Sequence, residues 1–183
     1  SKKHLMNELF EKKNLPFYKF GDAIYLAKIE TKYWIEYICK RFENTGKHIS
    51  PELAEEICRL VDNHSSYVQQ LSWLLWIRTI NTATTEQLSY ALEDLLDQNN
   101  ILFQSETENL SAYQMNFLKA IVDGIHTKFS GKEVISKYNL GTSANIVRLK
   151  NALLQKELIE TNGKEIVLAD PVFGVWFKKE MLY

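Results

Sequence analysis

Cysteine, proline and glycine are scarce in this chain of 183 residues, at two, three and seven copies. Cys39 and Cys58 stand outside any CxxC spacing and within helix-like segments, which gives a disulfide framework or a zinc site little support and points to a reducing compartment. With so few glycines and prolines there is little material for long loops, and a compact, helix-rich structure is the expectation. No apolar run approaches the roughly 20 residues of a membrane helix, and Ser1-Lys2-Lys3-His4 lacks the apolar core of a signal peptide. The reading is therefore a soluble, cytoplasmic protein with no membrane partner. The four histidines are dispersed, so no metal site is expected. No G-x-x-x-x-G-K-[ST] occurs anywhere, so the chain has no phosphate cradle, no catalytic residue is assigned, and it is not expected to hydrolyse ATP.

Net charge is also nearly absent, at −1, which argues against wholesale polyanion binding. The charge is unevenly spread, however: residues 1–110 hold 12 Lys and Arg against 16 Asp and Glu, whereas residues 111–183 hold 10 against 7. The basic excess lies in the C-terminal part. The start without methionine, in a lysine-rich stretch running into Leu5, Met6, Leu9 and Phe10, reads as a cut within a longer protein.

What the chain does have is 45 % hydrophobic residues, arranged with helical period. Residues 1–29 read as a short helix, a link through Pro16 and Gly21, and an apolar stretch at Ile24-Tyr25-Leu26. Trp34, Ile35, Ile38 and Phe42 then mark a helix that Thr31 can cap and Asn44-Thr45-Gly46 stops. Ser50-Pro51 opens a second helix with proline at its first position, where the missing N–H costs nothing. A third, from about Tyr67 to Ile80, is apolar almost all round and is expected to be the buried centre of a bundle. Thr84-Thr85-Glu86-Gln87 is a capping box for a fourth helix with Leu88, Leu92, Leu95 and Leu96, and the polar stretch Gln104–Asn109 reads as a domain boundary. Trp34, Trp73, Trp76 and Trp176, all within apolar faces, are assigned to core packing rather than to base stacking.

A different pattern follows. Ser111-Ala112-Tyr113-Gln114 and Ser130-Gly131-Lys132-Glu133 read as two further capping boxes, and Gly141-Thr142-Ser143 opens a longer helix with Ile146, Leu149, Leu153 and Leu154 inward. Asn162-Gly163 between two β-prone runs suits a type I′ turn. Three helices and a hairpin make a helix-turn-helix with a wing. The fold class is thus mainly α, a helical bundle over residues 1–109 followed by a winged-helix domain with a small β-hairpin over residues 110–183.

Several stretches together resemble the archaeal and bacterial AAA+-like ATPases of the STAND class. Ser1-Lys2-Lys3-His4-Leu5-Met6 resembles the segment after the sensor-1 strand, and Pro16-Phe17-Tyr18 the linker that follows. Asn63-His64-Ser65-Ser66-Tyr67-Val68-Gln69-Gln70-Leu71 resembles the lid. Tyr138-Asn139-Leu140-Gly141-Thr142-Ser143-Ala144-Asn145 and Asp170-Pro171-Val172-Phe173 with Trp176 resemble the winged-helix region. Ser65 stands where such proteins carry proline, and no arginine occupies the start of that helix as a sensor 2.

The resemblance implies an ATPase core, with ATP and Mg, in a parent protein of which this chain is the C-terminal part. It implies that the helix start at His64, Ser65, Ser66 and Tyr67 faces the nucleotide, where free N–H groups and the helix dipole favour anionic atoms. The plainer alternative is that Ser65 or Ser66 merely caps the helix. In the winged helix, Thr142, Ser143, Asn145, Arg148 and Lys150, with Lys164 at the wing, are the candidates for contact with duplex DNA, and the rival reading is that this domain packs against the ATPase core or a partner protein. The function expected is a regulatory module that couples the nucleotide state of the missing core to a winged helix contacting DNA or a protein. The alternative functions are a stand-alone winged-helix DNA-binding regulator and a protein-interaction adaptor.

Overall fold

A computed structural model describes residues 26–182. The short helix expected near the N-terminus and the resembling stretches at Ser1–Met6 and Pro16–Tyr18 lie outside the described residues. Among the described residues the architecture is mainly helical, with one two-stranded antiparallel hairpin. Helices α1 (Thr31–Glu43), α2 (Pro51–Leu60), α3 (Ser65–Arg78) and α4 (Thr85–Glu108) come first. Helices α5 (Ala112–Val122), α6 (Lys132–Tyr138) and α7 (Ser143–Gln155) follow, then β1 (Ile159–Asn162), β2 (Glu165–Leu168) and a final helix α8 (Pro171–Leu182).

The helix starts show how local chemistry sets these elements. Ser50 caps α2 by accepting from the Leu53 N–H, with Pro51 at the first helical position. The boxes at Thr84/Gln87 and Ser111/Gln114 form in full and satisfy the free donors of α4 and α5. The third expected box does not form: α6 begins after Gly131, and no side chain caps it. The hairpin pairs Ile159 with Leu168 and Asn162 with Glu165, so the turn residues are Gly163 and Lys164. Only Gly163 has a positive φ, +61°, which is the type II′ pattern and not the expected type I′; Asn162 ends the strand instead of entering the turn.

Helix α4 is the spine. Its 24 residues span about 36 Å. The polar stretch Gln104–Glu108, expected as a boundary, is helical and belongs to it. The N-terminal half of α4 buries Leu88, Ala91, Leu95 and Leu96 and packs on α3; the C-terminal half buries Phe103 and Thr107 and packs with α8. Helix α8, which periodicity alone did not announce, is fastened there by aromatic contacts. Phe103 meets Phe173 edge-on at 5.4 Å and Trp176 at 5.6 Å, and Trp176 Nε1 donates to Asn100 Oδ1 at 2.8 Å. On its other side α8 packs against α5 and β2, so a single buried cluster runs from Trp34 to Phe177.

Helix α3 corrects another expectation. It buries Tyr67, Val68, Leu71, Leu74 and Leu75, but Trp73 and Ile77 are 56 % and 51 % exposed. It lies at the edge of the bundle, held by α2 and α4. The assignment of all four tryptophans to the core therefore holds for Trp34 and Trp176 and fails for Trp73. Among the described residues no helix is long and apolar enough to cross a membrane, and no cluster of three His, Cys, Asp or Glu could hold a metal.

Candidate nucleic-acid interface and the start of α3

The helix-turn-helix is built by backbone conformation. Asn139 ends α6 in the left-handed region at φ 48°, and its short polar side chain makes that tolerable. Gly141 at φ +83° completes the turn; a β-carbon there would meet Asn145 Nδ2 at 3.2 Å and Tyr113 Cε1 at 3.5 Å. Helix α7 then begins at Ser143, and Thr142 at the N-cap makes no side-chain cap. The first N–H groups of α7 are thus left without a hydroxyl cap, at the positive end of its dipole.

The candidate DNA-contacting residues separate into two groups. Thr142, Ser143 and Arg148 are exposed, and among the described residues Arg148 has no ion-pair partner. Asn145 is half-buried and already committed, donating from Nδ2 to the Leu140 carbonyl at 3.0 Å, so it holds the turn together. Lys150 is half-buried on the flank of α7, and Lys164 is exposed at the hairpin tip. Ile146, Leu149 and Leu153 are buried, leaving Ser143, Ala144, Val147, Arg148 and Asn151 outward. No acidic residue occurs in α7.

Two residues here went unread in the sequence. Tyr113, exposed at 45 %, joins Gly141, Thr142, Ala144, Asn145 and Arg148 around a shallow cleft of about 260 Å³. Val147, 60 % exposed, sits in the middle of the outward face of α7. A valine four residues from both Ser143 and Asn151, off the face of Ile146, Leu149 and Leu153, is the sequence signal that marks it. The wing is completed by the segment after α5: Ile166 N–H donates to the His126 carbonyl at 2.9 Å. Glu160 and Glu165 lie in the two strands, and Glu157 just before them.

At the start of α3 the arrangement differs from simple capping. His64 occupies the N-cap without a side-chain cap, and Ser65 and Ser66 are the first two helical residues, both exposed. Ser66 Oγ accepts from Gln70 Nε2 at 2.8 Å, so neither serine caps the helix. His64 packs on Tyr67 with ring centroids 4.7 Å apart, and its Nδ1 is buried without a hydrogen-bond partner.

Tyr67 turns inward. Its hydroxyl donates to Asp170 Oδ2 at 2.6 Å, while Asp170 Oδ1 accepts from the N–H groups of Val172 and Phe173 and so caps α8. Burial first, and then the Asp170 carboxylate, push the Tyr67 hydroxyl well above the ordinary tyrosine pKa. The starts of α3 and α8 are thereby linked through one side-chain pair.

Comparison with known proteins agrees with this geometry. A family model described as a probable winged helix domain matches residues 101–179, a stretch that opens inside α4. The solved structure of a Walker-type ATPase of Pyrococcus abyssi is similar in fold, with a TM-score of 0.70 at 17 % identity. The similarity covers 97 % of this chain and 51 % of that one, so this chain spans about half the length of that structure. No curated protein matches the chain.

Proposed function

We propose that this chain is the helical lid and winged-helix part of an AAA+-like ATPase of the STAND class, whose nucleotide state is delivered to a winged helix that contacts duplex DNA. The observation that carries the reading is the similarity over nearly the whole chain to half of a Walker-type ATPase. The ATP-holding core would lie outside these residues, since no phosphate-cradling motif occurs in them. His64, Ser65 and Ser66 suit a contact with bound nucleotide at a helix start but would not hold it alone.

The coupling route has a physical basis. A ligand pressing on the start of α3 acts one residue away from Tyr67, whose hydroxyl bonds the residue that caps α8. Helix α8 packs on α5 and β2, two elements of the winged helix. A shift of α3 therefore moves the DNA-reading unit as a body, and a nucleotide that favours one placement biases the other.

The DNA reading is supported by the outward face of α7, which is free of acids and combines Arg148 and polar groups with the small apolar Ala144 and Val147. Arginine suits phosphates and guanine edges, and small apolar groups suit the thymine methyl. Fluorescence anisotropy with a labelled duplex provides the test. Affinity is expected to fall steeply as salt rises, and Arg148→Ala to weaken it roughly tenfold. Absence of binding at low salt would overturn the DNA reading for this chain and favour the adaptor alternative.

A further inference from the structure

A groove on the opposite kind of surface, apolar and formed by the first helices, is used by none of the contacts above. Helix α1 packs on α2 and α2 on α3, and between α1 and α3 a cleft of about 450 Å³ remains. One end is closed by Trp76, whose Nε1 donates to Thr45 Oγ1 at 2.9 Å and whose ring lies beneath Lys47 Nζ at 3.9 Å. Exposed residues at one-turn spacing line it from both sides, Tyr37 and Arg41 on α1 and Gln69 and Trp73 on α3, and the same faces carry the exposed Tyr33 and Ile77 one turn further along. In its walls Trp34 Nε1 and Ser72 Oγ are buried with no hydrogen-bond partner. Exposed aromatic residues on both rims, over an incompletely satisfied floor, are the marks of an interaction site and not of a finished surface.

The chemistry of the groove specifies its occupant. Both walls are helices whose backbone groups are bonded internally, so recognition has to run through side chains, as when a helix lies in a groove. Among the described residues Arg41 is the one charged side chain lining the cleft; its guanidinium lies 5.0 Å from the Tyr37 ring centroid, and no carboxylate among those residues pairs with it. The matching face is present on this same chain. The outer side of α4 exposes Ile101 at 83 % and Leu102 at 54 %, and Asp97 lies exposed one turn before Ile101 without an ion-pair partner among the described residues.

We infer that the groove between α1 and α3 receives helix α4 of a second copy of this chain, with Ile101 between Tyr37 and Trp73 and Asp97 over Arg41. The spacing agrees: Tyr37 to Arg41 and Ile101 to Asp97 are each a four-residue step, about 6 Å along a helix. Groove and inserted face differ, so association is either reciprocal about a two-fold axis or head-to-tail, which closes into a ring or runs on as a filament according to the rotation between copies. None of the residues assigned to DNA contact takes part.

Sedimentation of the 183-residue chain over a concentration series tests the pairing. The unmodified chain is expected to self-associate, and Arg41→Glu or Asp97→Arg alone to weaken association at least about tenfold. The double exchange, Arg41→Glu with Asp97→Arg, is expected to restore it, a recovery that damage to the fold would not produce. Trp73→Ser, at an exposed position, should abolish association while leaving the circular dichroism spectrum unchanged. A chain that stays monomeric at the highest concentration, or an assembly indifferent to Trp73→Ser, overturns the inference. Failure of the double exchange to recover what the single ones lose overturns the Arg41–Asp97 pairing.

Discussion

Tyr67 and Asp170 are 103 positions apart in the chain and share one hydrogen bond. Because the folded state keeps the phenol neutral, the Tyr67 hydroxyl has a higher pKa in the fold than in the unfolded chain. Its contribution to stability is fully present below about pH 10, the unfolded value, and is lost as pH rises beyond it. Tyr67→Phe is expected to cost about 1 kcal/mol at neutral pH and to flatten the alkaline decline, as chemical denaturation at pH 7.5 and 10.5 would show. Cys58 follows similar logic: burial pushes its thiol up to about 11, so it should resist alkylation in the native protein and react only on unfolding. These residue roles were only partly legible beforehand. Asp170-Pro171 and the His64–Tyr67 start stood out as local strings, but no spacing rule links positions so far apart.

Among the elements, α7 depends on the turn that precedes it. Gly141 holds φ +83° with Asn145 close by, whereas Asn139 holds φ 48° in a region that glycine enters at no cost. Gly141→Ala is expected to lower stability by about 1–2 kcal/mol in thermal or urea melts and to weaken whatever α7 binds, while Asn139→Gly is expected to be tolerated. The helices were legible because apolar periodicity and caps act within a few residues, and Ser50, Thr84 and Ser111 cap where their side chains suggest. The misreadings have equally local causes. Polarity at Gln104–Glu108 reflects an exposed helical face, and Phe103 and Thr107 are its buried side. Asn162-Gly163 has the composition of a type I′ turn, yet strand pairing shifted the turn by one residue.

At the scale of the molecule, the bundle and the winged helix meet at Phe103, Phe173 and Trp176. Phe103→Ala would open a cavity at that junction and is expected to cost about 3–5 kcal/mol. Tryptophan fluorescence and far-ultraviolet circular dichroism should then report a single transition moved to lower temperature; two separated transitions would mean that the parts are stabilised independently. The sequence by itself determined the fold class, the capped starts of α2, α4 and α5 and the acid-free character of α7, because these depend on side-chain type and on neighbours within one or two turns; the Thr31 cap expected for α1 is not made, since that helix begins at Thr31 after an uncapped Glu30. Only the tertiary structure decided that α4 carries both parts, that Tyr67 faces α8, that Asn145 is spent on its own turn and that Trp73 remains uncovered. Each of those outcomes depends on which element arrives on a given face, and a face is assigned only when distant segments compete to bury it.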